Sequence, residues 1–378
     1  MDLTLFFSAV DESLYENITS PSSFFKNIRA YTDKIPDFRE AHMALVGLPD
    51  EEEKAANAIR EKLYHLKRGT GAYRIVDLGN LKPGIDREET YTRLSEVCRM
   101  LLEQNVFPVL LGGQHDLTYG QYTAYETLDK LVSFLNVDAF LDLEDNQTDS
   151  PEQRHVHKIL MHEPNYLFNY IHMAYQSYLI DPLSVAVLEK LYFEAFRLGQ
   201  MRNNLPEMEP AIRHADLLSF DITAIRSADA PAQHRAQPFG LTGEEACQLC
   251  WYAGHNEKLS SAGFYGYQPL LDDAHGKTAS VIATMIWYLI EGFYHRKNEQ
   301  NIKSNDFIKY TVPMPSEPSS ISFYKSKMSE KWWMEVPYPQ GKEKYARNSI
   351  VPCSYTDYQL ATKGEVPERF ISTLAKLM

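Results

Sequence analysis

Short apolar runs bounded by turn residues alternate along most of this chain with longer stretches whose apolar residues recur at helical spacing. HMALVGLP (42–49) predicts a buried strand, EEKAANAIREKLYHL (52–66) a helix, and RIVDLGNL (74–81) a second strand. ETYTRLSEVCRMLLEQN (89–105) has a strong helical period, FPVLLGG (107–113) reads as a strand, and LVSFLNVDAFLDL (131–143) is a strand running into the polar loop DNQTDSPEQ. Further helices over about 182–200 and strands at ADLLSFDIT (215–223) and SSAGFYGYQP (260–269) continue the series. Such repetition implies parallel strands joined by crossover helices, so the expected fold is α/β: a three-layer α/β/α domain with a central, mostly parallel sheet over residues 1–300.

The texture changes after that point. KSNDFIKYTVPMPSEPSS brings prolines and polar residues, and ISFYKSKMSEKWWMEVPYP is aromatic with little helical period. Residues 301–378 are expected to form a C-terminal strand-and-loop appendage packed on the core, ending in a short helix near VPERFISTLAKLM.

Composition narrows the class of function. The chain has 378 residues, 44% hydrophobic and 24% charged, enough apolar material for a large core. Its 51 acidic and 38 basic residues give a net charge of −13, which disfavours nucleic acid or an anionic membrane as a partner and is compatible with a small cationic substrate. Four cysteines do not make a disulfide framework. The opening MDLTLFFSAVDES lacks the basic and apolar regions of a secretory leader, so a reducing, cytoplasmic setting is expected.

In sheets of this kind ligands gather beyond the carboxyl ends of the strands. Gln114, His115 and Asp116 follow PVLLGG, Asp138 and Asp142 close NVDAFLD, and Asp221 ends LLSFD, so residues distant in sequence meet if those strands are neighbours. Three carboxylates and an imidazole brought together repel one another unless neutralised, and a divalent cation is the usual solution. Oxygen-rich ligation with one nitrogen points to Mn2+ before Zn2+. The competing reading, in which each aspartate caps a loop or helix separately, stays open at this point.

These residues also carry a resemblance. GGQHDLTYG (112–120), VDAFLD (137–142) and SFDIT (219–223) resemble the three metal motifs of the arginase, agmatinase and formimidoylglutamase group, the ureohydrolases. AIRE (58–61), DLGNL (77–81) and GKTASVIATMIWYLIEGF (276–293) extend the likeness over about residues 40–297, and SFDITAIRSADAPA (219–232) is most similar to the formimidoylglutamase branch. The resemblance implies a homo-oligomer that uses Mn2+ to hydrolyse a C–N bond of a linear amidine or guanidino compound. It also implies that His115, Asp138, Asp142 and Asp221 hold one ion, with Asp138 serving the chemistry as well.

The second ion of that family has two ligands of its own, and here those positions hold Phe140 and Thr223. One ion per subunit is therefore expected, with weakened hydrolysis or, alternatively, a catalytically silent relative kept for binding or assembly. Gln114 and Asp116 depart from the pattern beside the ligand histidine; either Asp116 restores a carboxylate nearby or the pocket is rebuilt.

By the same resemblance Glu245 receives the cationic group of the substrate, against the plainer reading of an acidic residue in a helix's first turn. His155 follows Asp142 at the distance of a proton-shuttle histidine in arginases, but a solvent-exposed histidine is the competing reading in a segment that also holds His157, His162 and His172. Cys247 and Cys250 read as small apolar residues on adjacent helical turns rather than a redox pair. RGTGAYR (68–74) reads as a loop at the pocket mouth, and Trp332 and Trp333 as either an interface or packing under the appendage.

Overall fold

The computed structural model describes residues 3–50, 54–128, 130–143, 150–299, 301–340 and 343–378. Most of the expected loop at DNQTDSPEQ lies outside them. Ten strands build the main sheet: β1 (Phe7–Ser8), β2 (Arg29–Ala30), β3 (Met43–Gly47), β4 (Ile75–Leu81), β5 (Phe107–Leu111), β6 (Val132–Val137), β7 (Leu167–Tyr175), β8 (Glu194–Arg197), β9 (Leu217–Asp221) and β10 (Ser261–Tyr265). Their spatial order is β1-β4-β3-β5-β10-β9-β6-β7-β8, with β2 also on β4. Only the β1–β4 pairing is antiparallel.

The chain passes from β5 to β6 across the places later filled by β9 and β10, so the carboxyl ends of β5, β10, β9 and β6 stand side by side. This is where the strand order reverses and where an open α/β sheet leaves a crevice.

Helices cover both faces because buried strands present apolar side chains to each side. Helices α1 (Lys54–His65), α8 (Gly243–His255) and α9 (Lys277–Tyr294) enclose one core through Ile59, Leu63, Leu249, Ile282, Ile286 and Leu289. Helices α2 (Arg87–Glu103), α3 (Thr118–Thr123) and α4 (Pro151–Leu160) enclose the other through Leu94, Val97, Leu101, Tyr122, Val156 and Ile159. Local signals start these helices. The Asp86 side chain accepts from the Glu89 N–H at 2.8 Å, while Thr242 and Glu245 form a reciprocal capping box. The Asp272 carboxylate caps α9 by accepting from the N–H groups of Thr278 and Ala279.

AIRE and DLGNL have a structural reason to co-occur. Arg60 and Asp77, both fully buried, form a two-pronged ion pair at 2.8 Å for each prong, joining α1 to β4. The Tyr64 hydroxyl and the Gly79 N–H donate to the same carboxylate, so the buried charges are fully paired.

The expected helical stretch over about 182–200 is a correction. It divides into α5 (Pro182–Lys190), the edge strand β8, and α6 (Leu198–Asn203), followed by the short α7 (Glu209–Arg213). Tyr192, at φ +58°, leaves the helical region, and the next residues pair with β7, a strand the apolar pattern did not single out. RGTGAYR does not lie at a pocket mouth over the strand tips. It leads into the amino end of β4, with Tyr73 stacked on Tyr294 and bonded to Glu291 at 2.6 Å.

Residues after 301 form an antiparallel sheet of β11 (Phe307–Pro313), β12 (Ser320–Ser326), β13 (Trp332–Glu335) and β14 (Ile350–Cys353), followed by α10 (Tyr355–Thr362) and α11 (Glu368–Leu377). It packs beside the amino ends of β6, β7 and β9: Phe168 joins its apolar cluster, Arg213 donates to the Trp332 and Cys353 carbonyls, and Lys376 donates to Asn169 at 2.6 Å. Trp332 and Trp333 are buried there, with the Arg213 guanidinium 4.2 Å from the Trp333 ring centre. The appendage is thus at the end of the sheet opposite His115, Asp138 and Asp221. Among the described residues no helix is long and apolar enough to cross a membrane.

Candidate metal centre

Each candidate ligand is delivered by a strand tip. β5 ends in Gly112 and Gly113, both at positive φ, and this turn swings His115 back over the sheet. Asp138 follows β6 directly, and Asp221 is the last residue of β9. Asp142 lies beyond a short turn at φ +49°, a left-handed conformation that aspartate tolerates better than most residues.

His115 stands next to all three acids. His115 Nδ1 lies 3.3 Å from Asp138 Oδ2, 3.4 Å from Asp142 Oδ2 and 3.3 Å from Asp221 Oδ2. All four residues are buried, and His115 Nδ1, Asp138 Oδ2 and Asp142 Oδ2 have no hydrogen-bond partner. Separations just beyond hydrogen-bond length are unfavourable for pairing with each other. Among the described residues, His115, Asp138 and Asp221 make one group of donors close enough together to share an ion, while Asp142 falls in a second group that has the imidazole in common with the first. The donor set therefore fits a divalent cation.

Supporting contacts hold the donors in this orientation. His115 Nε2 is 2.9 Å from Ser219 Oγ, which is 2.7 Å from Thr118 Oγ1, so the imidazole is held by its far nitrogen and turns Nδ1 inward. The Thr223 N–H donates to Asp221 Oδ1 at 2.7 Å. Asp138 Oδ1 accepts from the Thr223 hydroxyl at 2.5 Å and from the Phe140 N–H at 3.0 Å. Gly266, at φ +82°, lets the end of β10 pass close to Asp221; a Cβ there would lie 2.7 Å from Asp221 Oδ2.

Electrostatics match this geometry. Burial disfavours a charge on His115, but the surrounding Asp221, Asp138 and Asp142 outweigh it and raise its pKa well above the usual imidazole value. Burial also raises the Asp221 pKa, against the pull of His115. Asp116 does not restore a carboxylate at the imidazole: it pairs with Arg87 and Tyr91 on the α2 side, so the pocket is rebuilt.

His155 is buried, a correction to the solvent-exposed reading. Its ring centre is 4.1 Å from that of His115, and its Nδ1 is 2.8 Å from the Glu152 carbonyl and 3.7 Å from Asp142 Oδ2. Burial, reinforced by His115, lowers its pKa to about 3, so it is a neutral imidazole with Nε2 lacking a partner. With His115 and Asp142 it makes a second overlapping group of possible donors.

Glu245 sits elsewhere in its contacts. Its carboxylate accepts from the Thr242 N–H at 2.7 Å in the capping box, and Arg202 Nε is 3.6 Å away. Cys247 and Cys250 are buried in α8, where the surrounding apolar packing raises both thiol pKa values.

The two positions at which the resemblance puts the second ion's own ligands offer no usual donor. Phe140 has no donor atom, and the Thr223 hydroxyl is engaged in giving its proton to Asp138. Sequence reasoning missed a third participant, Arg235. Its guanidinium carbon lies 3.7 Å from the Phe140 ring centre, and its Nη2 donates to Asp142 Oδ1 at 3.2 Å. An arginine in a loop after SFDIT carries no spacing signal that would link it to Asp142. The void beside Phe140, Asp142 and Arg235 is about 40 Å3.

An open, mostly parallel sheet with a buried cluster of acids and one imidazole at its central strand tips is an arginase-like three-layer α/β fold. The chain belongs to the Arginase family, whose family model matches residues 49–291. It is 25% identical over 243 residues to the formimidoylglutamase of Geobacillus kaustophilus (strain HTA426), covering 61% of this chain and 72% of that protein. Trypanosoma cruzi formiminoglutamase, solved with Mn2+2, superimposes with a TM-score of 0.62 at 18% identity, over 70% of this chain and 97% of that one. The formimidoylglutamase of Bacillus subtilis subsp. subtilis str. 168 gives 0.61 at 16% identity, over 75% and 98%.

Proposed function

We propose that this protein is a single-ion member of the family, holding Mn2+ on His115, Asp138, Asp142 and Asp221 and hydrolysing a C–N bond of a small linear amidine, of the formiminoglutamate or guanidino type. The observation that carries the reading is the His115 nitrogen, unpartnered and with the three acid oxygens 3.3–3.4 Å from it, those of Asp138 and Asp142 also unpartnered. When bound, a divalent ion supplies Lewis acidity and an acidified water at neutral pH.

The chain's own residues do the rest. Ser219 and Thr118 hold the His115 ring, and Thr223 holds Asp138, so the donors need little reorganisation. His155, a neutral imidazole held at Nδ1 by the Glu152 carbonyl, presents an unpartnered Nε2 that is available to accept a hydrogen bond. Glu245 orients the cationic end of the substrate, giving up its Arg202 contact to do so. Burial of the cluster excludes bulk water and strengthens each of these interactions.

A second reading is an ion-holding but catalytically silent relative, since Phe140 and Thr223 stand at the positions from which the resemblance draws the second ion's own ligands. One experiment separates them. Manganese-loaded protein is offered formiminoglutamate, agmatine, arginine and guanidine, with release of formamide, urea or ammonia as the readout. Turnover that Asp138→Asn abolishes together with ion binding supports hydrolysis; bound manganese with no turnover on any of the four supports the silent relative. Protein that takes up no divalent ion at all refutes both.

A further inference from the structure

We propose that Arg235 is a tethered cation that takes the place of a second metal ion and makes this centre single-ion by construction. The inference rests on the metal-centre reading above and adds a residue that neither the sequence motifs nor the family likeness assigns.

The geometry begins with Asp142. One of its oxygens, Oδ2, faces His115 and His155, while the second, Oδ1, accepts from Arg235 Nη2 at 3.2 Å. A single carboxylate therefore faces the cage on one side and a guanidinium on the other. The guanidinium carbon lies over the Phe140 ring, 3.7 Å from its centre, and Phe140 stands at the position from which the resemblance draws a ligand of the second ion. An aromatic face attracts a cation and offers a metal ion no lone pair, so the same ring that favours arginine disfavours a metal.

Charge balance leads to the same residue. Asp138, Asp142 and Asp221 carry three negative charges when ionised, and His115 binds an ion in its neutral form. One divalent ion leaves a single negative charge uncompensated in a buried cluster, which is unfavourable. A second divalent ion would overshoot by one and would need ligands that Phe140 and Thr223 do not provide. One divalent ion with Arg235 closes the balance. Arginine suits this role because its guanidinium stays protonated under any physiological condition and forms directional bonds to a carboxylate. It also stands within several ångströms of any ion in the cage, close enough to repel a second one.

The test uses full-length protein and manganese content, so it does not depend on turnover. Phe140→His with Thr223→Asp restores the missing donor types; the triple variant adds Arg235→Ala. Elemental analysis after gel filtration in excess Mn2+ is expected to give one ion per chain for the wild type and the double variant, and two for the triple variant. Electron paramagnetic resonance of the triple variant should then show a spin-coupled manganese pair. Two ions in the double variant, with Arg235 in place, would overturn the proposal.

A simpler pair of variants covers the case in which the triple variant does not fold. Removing a like charge beside the cage should tighten binding of the first Mn2+, by about tenfold for Arg235→Ala, while Arg235→Lys remains within about threefold of wild type. Unchanged or weaker binding in Arg235→Ala overturns the tethered-cation role even if the wild type binds its one ion normally. A wild type that binds no ion refutes the underlying metal reading instead, which keeps the two failures distinct.

Discussion

Replacing Thr223 by valine removes one hydroxyl and leaves the side-chain shape nearly unchanged. That hydroxyl donates to Asp138 Oδ1 at 2.5 Å, in a place where both residues are buried and where, among the described residues, the other donor to that oxygen is the Phe140 N–H at 3.0 Å. A hydrogen bond to a charged group contributes about 1.5–3 kcal/mol when its loss leaves the partner buried. Unfolding entropy near 2.1 cal/mol/K per residue, applied to 378 residues, converts this into a Tm about 2–4 °C lower for the ion-free protein. The same bond fixes the direction of Asp138 Oδ2, so manganese affinity should fall by about 10–100-fold, the usual effect of losing a group that orients a ligand. Calorimetric titration with Mn2+ and thermal melts of the ion-free protein read the two effects. Thr223→Ser, which keeps the donor, should restore both. If Thr223→Val binds manganese like the wild type and melts at the same temperature, the hydroxyl does not organise Asp138 and the orientation argument fails.

Three further expectations concern the scaffold around the centre. Arg60→Met leaves Asp77 buried without its guanidinium, so stability in chemical denaturation should drop by about 3–5 kcal/mol; a change under 1 kcal/mol would mean the pair is better solvated than its burial indicates. Gly266→Ala places a Cβ 2.7 Å from Asp221 Oδ2 in a positive-φ turn, so manganese affinity should fall at least tenfold, and wild-type affinity would show that the turn yields easily. His172 is buried, accepts from Tyr170 and donates to the Asp138 carbonyl; burial lowers its pKa to about 4. The unfolded chain binds that proton below pH about 6.5 and the folded chain only below about 4, so stability should fall as pH drops through this window, by up to about 1.4 kcal/mol per unit. His172→Asn should flatten the slope between pH 6.5 and 5 in urea titrations; an equal slope assigns the acid sensitivity to other groups.

Much of the α/β framework was legible from local pattern, because buried parallel strands require apolar runs and their crossover helices require helical spacing. HMALVGLP, FPVLLGG and SFDIT all mark strands of the main sheet. The region from 182 to 200 was misread because its apolar content fits either periodicity over so short a span. Pairing with β7 makes the edge strand there, and pairing is a non-local property. The burial of His155 escaped for a related reason: four histidines in one stretch carry no sign of which of them, here His155 and His172, fold inward.

The amino-acid sequence by itself determined the inventory of the centre. It specified which strand tips end in acids and an imidazole, and that Phe140 and Thr223 cannot serve as ordinary ligands. Residue type and strand periodicity settle such matters locally. Tertiary structure alone decided the distances, the burial of His155, the hydrogen bond from Thr223 to Asp138, and the seat of Arg235 on Phe140 beside Asp142. Arg235 is 93 positions from Asp142 along the chain. Contacts of that kind depend on how loops cross the carboxyl edge of a sheet, and no local pattern encodes where two such loops meet.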